Sequence, residues 1–230
     1  TAAEDASAAR HERIAVIGGS EETVAQMVNR AKAVNSERVV LVGPDIASDG
    51  GGTMSAVFAA AAVAAVIAGN TDPSVPINGA ELTLFGAAGK RLSDNEIDQL
   101  VRGGVTPIET VGGVSSPVRG ITTKTSSGGA ADTTWRELTT ILIVDEVILT
   151  IRSALRTRFA RSKNTAQSRG AIRSQVVLEL EEMKSREIVD SYGEVLVSAL
   201  KSDPTVCLVE FSFTVAHGLN RIYLTAHITV

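Results

Sequence analysis

The sequence predicts an α/β fold that turns α+β in its second half: a β-α-β unit, followed by a domain with two helices and a terminal β-hairpin. Three observations predict it. Two short apolar runs, Arg13–Ile17 and Arg38–Val42, flank a stretch of helical spacing, and strand, helix and strand in that order pair the strands in parallel. Further on, Val144, Ile148, Ile151, Leu155 and Phe159 recur at spacings of three and four, as one buried helix stripe does. Near the end the period becomes two: Val209, Phe211, Phe213 and Val215 alternate with Glu210, Ser212 and Thr214, the pattern of a strand with one wet face.

The first strand closes on Gly18-Gly19, and Ser20 is expected to cap a helix with Glu21 and Glu22 in its first turn, where the helix dipole favours acids. Val24, Met27, Val28 and Ala31 form its buried stripe. The second strand ends at Gly43-Pro44. Asp49–Gly52 reads as a flexible loop, and Ser55 opens an Ala-rich helix that stops at Gly69. This run is shorter than the roughly 20 residues a bilayer span requires. It reads as a buried helix, with small residues on every face packing closely on several sides. Asp72-Pro73 and Val75-Pro76 turn the chain.

Ser93 and Glu96 form a capping box, Ile97, Leu100 and Val101 supply the buried face, and Gly103-Gly104 ends that helix. Val105–Val111 and Pro117–Thr123 read as short strands joined by a Gly-rich turn. Ser126–Gly129 reads as a flexible surface loop, which divides the chain into domains 1–125 and 132–230.

The second domain is expected to open with a strand, Glu137 to Val144, then a helix from Asp145 to about Lys163. Arg152, Arg156 and Lys163 would line one flank of that helix. Another helix, Arg169 to Lys184, buries Ile172, Val176, Leu180 and Met183. The alternating strand at 209–215 is then expected to form a hairpin around His217–Asn220 with a last strand. There Ile222, Leu224, Ala226, Ile228 and Val230 alternate with Tyr223, Thr225, His227 and Thr229. A strand at a chain end is available for pairing with another molecule.

Composition narrows the function. The chain has 230 residues, enough for one large domain or two small ones, and 44% hydrophobic residues argue for a packed core. A net charge of −4 leaves no electrostatic footprint for nucleic acid. With 3% aromatics, base-stacking platforms and sugar cages have little to draw on. Cys207 is the only cysteine, so an intramolecular disulfide and a thiolate-rich metal site are excluded, and a reducing compartment fits best. Cys207 itself is read as a small buried apolar residue. Thr1–Arg10 lacks the layout of a signal peptide.

Two motifs suggest chemistry. Gly18-Gly19 between strand and helix raises phosphate binding, but the third glycine of a dinucleotide fingerprint is missing and Glu21-Glu22 put negative charge where phosphate would sit. A tight turn is expected. Gly52-Thr53-Met54-Ser55-Ala56 is similar to the serine segment of subtilisin-type proteases with serine and methionine exchanged. The order Asp, His, Ser is not met, because His11 precedes Asp45 and Asp49. Ser55 is expected to be a helix cap. The alternatives kept are a serine hydrolase using Ser55 and a nucleotide-binding β-α-β module; no catalytic residue, cofactor or metal is expected.

Ala64–Gly69 running into Asp72-Pro73-Ser74-Val75-Pro76-Ile77 resembles the Ala-rich helix and proline turn of phage tail sheath proteins. Val118-Arg119-Gly120-Ile121-Thr122-Thr123 is similar to the strand closing their subtilisin-like domain. Trp135–Leu138, through Asp145-Glu146-Val147 to Arg152 and Phe159, resembles the opening of their C-terminal domain. The resemblance covers nearly the whole chain. It implies a non-catalytic subunit of hexameric rings, stacked as a helical sheath around an inner tail tube and contracting to drive that tube through a target envelope. It also implies baseplate and tail terminator proteins as partners, a place in the virion tail after assembly in the host bacterial cytoplasm, and no nucleic-acid or membrane contact. Family members exchange strands through extended terminal arms, and this chain begins without a recognisable one. With a tube-facing helix in the second domain, Arg152, Arg156 and Lys163 become expected contacts to the tube, and Ile222, Leu224, Ala226, Ile228 and Val230 the expected intersubunit strand.

Overall fold

The computed structural model describes residues 1–19, 22–47, 53–82, 91–220 and 225. The chain forms two compact units, one of Thr1–Thr71, Val75–Ile141 and Gly218–Val230, the other of Asp72–Ser74 and Leu142–His217. These units part between Ile141 and Leu142, whereas the expected domains are stretches of sequence divided at the Ser126–Gly129 loop.

In the first unit a short helix, α1 (Ala2–Ala8), precedes β1 (Ala15–Gly18). Helix α2 (Val24–Val34) leads to β2 (Val39–Gly43), and β1 and β2 pair in parallel with Ala15 opposite Val39. The cap of α2 is Thr23 rather than Ser20. Thr23 Oγ1 accepts from Gln26 N at 3.3 Å, and Thr23 N donates to Gln26 Oε1 at 2.9 Å. A reciprocal box needs Glu or Gln three residues after the cap; Thr23 has Gln26, while Ser20 is followed at that spacing by Thr23. Glu22 therefore lies ahead of the helix, where its carboxylate meets Arg30 Nη1 at 3.1 Å.

A two-residue ladder, β3 (Ile46–Ala47) with β4 (Thr53–Met54), leads into α3 (Ala56–Gly69). Helix α4 (Asp94–Arg102) keeps the expected box, with Ser93 N donating to Glu96 Oε2 at 2.9 Å. Strand β5 (Val105–Val111) turns through Gly112-Gly113, both at positive φ, into β6 (Val114–Pro117). The second strand of this hairpin thus begins at Val114 and ends at Pro117, where proline has no amide to continue a ladder; residues 118–123 run on beyond it. The sheet order is β1-β2-β5-β6, parallel except for the last pair.

Met27 and Ala31 of α2, Leu41 of β2, Leu100 of α4 and Val105 of β5 make one buried cluster, with Ile17 packed against it. Alternation turns Gly18 and Val42 to the opposite face. There α3 begins: a Cβ on Gly18 would lie 2.3 Å from the carbonyl carbon of Ala56. The glycine that ends β1 thus makes room for a helix, not for a phosphate.

Ser126–Gly129 is ordered as part of a hairpin, Gly128-Gly129 making the two-residue turn between β7 (Ser126–Ser127) and β8 (Ala130–Ala131) at φ 57° and 84°. Primed hairpin turns require positive φ at both central residues, which glycine supplies without strain.

Helix α5 (Leu138–Phe159) replaces the expected strand and helix with one continuous helix. The run Ile141-Leu142-Ile143-Val144 fits a strand or a buried helix, and burial of Ile143, Val147 and Ile151 at intervals of four decides for the helix. The stripe is one residue earlier than expected, Ile143 and Val147 taking the places of Val144 and Ile148. The second unit continues with α6 (Ala166–Ser185), β9 (Val189–Tyr192), β10 (Leu196–Leu200), β11 (Asp203–Glu210) and β12 (Phe213–Val215). Its core joins Ile143, Val147 and Ile151 to Val176, Leu180 and Met183, under Ile188, Val189 and Val195. The expected strand at 209–215 is two strands: β11 pairs with β10 and β12 with β9. Phe211 falls at the break, its ring 6.1 Å from that of Phe213 and near parallel to it. The expected partner at 222–230 lies outside the described residues, apart from Thr225.

Residues 119–123 are held by side chains as much as by backbone. Thr106 Oγ1 accepts from Ile121 N at 3.0 Å and donates to Ile121 O at 2.9 Å, all of it buried. Thr106→Val keeps the shape and strands both backbone groups, each costing more unsatisfied than a net hydrogen bond supplies. We expect a loss of about 2–3 kcal/mol, read from urea unfolding, with an unchanged m-value.

Candidate assembly surface

Helix α5 carries the expected basic residues on its outer side. Arg152 is half-buried beside Ile151, and Arg156 is exposed one turn later. Lys163 does not share that helix flank, since α5 ends at Phe159 and Lys163 lies in the connection before Thr165, the cap of α6. Arg158 donates from Nη1 to Oε1 of buried Gln175, so its charge serves the packing of α5 on α6. The intersubunit strand residues Ile222, Leu224, Ala226, Ile228 and Val230 lie outside the described residues.

Strands β10 and β11 add a surface that the sequence pattern did not reveal. Val195, Val197 and Ala199 face inward, as do Cys207, which is half-buried opposite Ala199, and Val209. The outer face is apolar as well: Leu196 is 52% exposed, and Leu200, Val206 and Leu208 lie near 40%. Apolar residues on both faces of β10 break the alternation by which strands are recognised, and the chance to find this one lay in Leu196-Val197 ahead of a Lys-Ser-Asp turn.

Helix α3 departs from its expected full burial. It buries Ala56, Ala59, Ala60 and Val63 on one side, while Val57 and Phe58 stay more than half exposed and Ala61, Ala65 and Ala68 are exposed too. An all-apolar helix with an open face is a surface that another molecule can cover. No described helix is long and apolar enough to cross a membrane.

Ser55 serves at the N-cap of α3, its Oγ accepting from Val57 N at 3.4 Å, while Asp45 Oδ1 accepts from Ala56 N at 2.8 Å. His11 and His217 are exposed in other parts of the chain; His227 lies outside the described residues. Among the described residues no group of three or more His, Cys, Asp or Glu is placed to hold a metal ion. The open features are apolar faces and arginines, which suit contact with protein.

Residues 130–229 match the family model of the phage tail sheath C-terminal domain. Over 216 residues the chain is 29% identical to the tail sheath protein of Bacillus phage SP01, covering 91% of this chain and 37% of that protein. The chain is thus similar to phage tail sheath proteins, and residues 130–229 carry the match to their C-terminal domain. It spans little more than a third of that curated relative's length. Its fold is that of a sheath tail protein from Desulfitobacterium hafniense, with a TM-score of 0.70 at 14% identity over 93% of this chain and 51% of the other. A chain of the anti-feeding prophage baseplate matches with a TM-score of 0.72 at 12% identity, over 99% of this chain and 63% of that one. The sheath of an extracellular contractile injection system in its contracted state matches with a TM-score of 0.69 at 13% identity, over 93% and 63%.

Ser55 has the role of a cap. Ser55→Ala is expected to cost about 1 kcal/mol of stability and to leave turnover of p-nitrophenyl esters at the buffer rate, the same as for the unsubstituted protein; thermal melts and an esterase assay check the two halves.

Proposed function

We propose that the chain is the polymerising core of a contractile tail sheath subunit, which stacks as hexameric rings around an inner tail tube and drives the tube through a target envelope by contracting. The observation that carries this reading is the amount of apolar surface left open on regular elements, the outer side of α3 and the outer face of β10 and β11. Isolated apolar residues are ordinary at a surface, whereas contiguous faces on helices and sheets mark contact sites. The proteins of like fold come from a contracted sheath and from a baseplate, which supports self-assembly and contact with a baseplate here.

On this reading residues 1–125 are the non-catalytic subtilisin-like core and 132–230 the C-terminal sheath domain. Arg152 and Arg156, with Lys163 beyond the helix, face an acidic stripe on the tube. Ile222, Leu224, Ala226, Ile228 and Val230 add a strand to a neighbouring subunit. The subunit is not an enzyme, binds neither nucleic acid nor membrane, meets the tail terminator at the far end, assembles in the host bacterial cytoplasm and ends in the virion tail. Negative-stain microscopy of the full-length protein at high concentration should show rings or tubes; monodisperse particles only would refute the reading.

Replacing Arg152 and Arg156 together by Glu should weaken assembly on the tube, most at low salt, because the screening length shrinks from about 30 Å at 0.01 M to about 8 Å at 0.15 M. Co-sedimentation with the tube protein at both salt levels measures this. Equal recovery of the double variant and the parent would remove the arginines from the tube contact.

A further inference from the structure

The first unit contains a cleft of about 510 Å³ lined by Ile97, Asp98, Val101, Arg102, Val118, Arg119, Arg136 and Asn220. Two of its three arginines are already paired. Arg102 Nε meets Asp98 Oδ2 at 2.8 Å, one helical turn away on α4. Arg119 grips Glu137 with both arms of its fork, Nη2 to Oε1 at 2.5 Å and Nε to Oε2 at 3.3 Å. Arg136 is different: its Nε is buried and has no hydrogen-bond partner among the described residues. A buried donor on a charged group without an acceptor costs more than an ordinary missing bond, so a site holding one is incomplete without an acceptor from outside.

The charge count says which acceptor fits. Arg102, Arg119 and Arg136 against Asp98 and Glu137, three positive and two negative, leave a surplus of one positive charge among the described residues. One monoanion balances it, while a phosphate dianion would overshoot. The fork of a guanidinium accommodates a carboxylate through two parallel bonds. Beside the arginines, Ile97, Val101 and Val118 offer an apolar wall, which suits a peptide side chain next to the acid.

We propose that this cleft takes one carboxylate, on an acidic residue adjoining an apolar one, from a second copy of this chain. The choice of a second copy rests on the self-assembly reading above, and an acidic copy, with 26 Asp and Glu against 22 Lys and Arg, has carboxylates to offer. The contact fixes how one subunit seats on the next, because a buried bidentate pair tolerates little misalignment.

The test has two arms. In the first, the 230-residue chain labelled with ¹⁵N is titrated with N-acetyl-Leu-Glu-amide, N-acetyl-Leu-Gln-amide and inorganic phosphate, following the arginine Nε–Hε resonances. The Glu peptide should shift the Arg136 signal saturably, with the Gln peptide about ten-fold weaker or worse, and Arg136→Gln should abolish the shifts at Arg102 and Arg119. No saturable shift, an equal response to the Gln peptide, or tighter binding of phosphate would each overturn the carboxylate assignment. In the second arm, the sedimentable fraction of full-length Arg136→Gln and Arg136→Lys is compared with the parent. Arg136→Gln should lower it about ten-fold and Arg136→Lys less, with melting temperatures not lowered, since the buried Nε has no hydrogen bond among the described residues to lose. Normal assembly of Arg136→Gln would exclude a second copy as the occupant. A parent that binds the Glu peptide yet never sediments would overturn both the self-assembly reading and that occupant, leaving only the cleft's preference for a carboxylate established.

Discussion

The first unit depends on one extended segment, Arg119–Thr123, that belongs to no named strand and is hydrogen-bonded along its whole length. Thr123 N donates to Val39 O at 2.8 Å, and Thr123 Oγ1 both accepts from Ser36 N and donates to Ser36 O. Ile121 is clasped by the Thr106 hydroxyl. Thr122 N donates to Arg136 O and its hydroxyl to Trp135 O, while Gly120 O accepts from Leu138 N in the first turn of α5. The segment therefore ties β2, β5 and the start of α5 to one another through groups that would otherwise be buried without partners. Threonine suits the task, since its β-branch favours extended backbone and its hydroxyl both donates and accepts. Gly120 must stay bare, because a Cβ there would lie 2.8 Å from Ile77 Cγ1.

Close approach governs the other face of the sheet as well. With no side chain at Gly18 and alanines at 56, 59 and 60, α3 lies near the sheet along a face of small residues. Such a contact yields less apolar burial per residue than leucine packing, and burial scales with area. The capping at Asp45 and Ser55 offsets part of that deficit by satisfying the first amides of α3. A helix packed by small residues on one side and left apolar on the other has its larger side chains, Val57 and Phe58, on the open side.

Much of this was legible because local rules and the fold agree. The β-α-β unit, the Ser93 box, the Ser55 cap and the stripe of α6 follow from periodicity and capping chemistry, which tertiary contacts reinforce. The misses are equally local. Ser20 looked like a cap because acids follow it, but the reciprocal partner three residues on belongs to Thr23. The run at 141–144 carries β-branched residues, so its strand propensity concealed a helix whose burial pattern continues through Val147 and Ile151. Strands β9 and β10 were invisible for opposite reasons: Val189–Tyr192 contains Asp190 and Ser191 and is too polar, while Leu196–Leu200 is apolar on both faces. Of the candidate surface, Arg152 and Arg156 could be read from spacing. The leucines of β10 could not, since their exposure depends on a pairing that the sequence does not spell out.

In the proposed assembly the two kinds of open surface would divide the work of association. Apolar faces such as those on α3 and β10–β11 supply attraction without direction, since burying hydrocarbon rewards area in any orientation. Charges act differently: a misplaced carboxylate or guanidinium costs more than a well-placed one contributes, so they reject wrong registers more than they strengthen the right one. A subunit with only the apolar faces would aggregate, and one with only the arginines would bind weakly and dissolve in salt. Under the proposed assembly, seating in one register needs charge contacts beside apolar attraction, and Arg136, whose buried Nε has no acceptor among the described residues, is the residue least able to tolerate the wrong one.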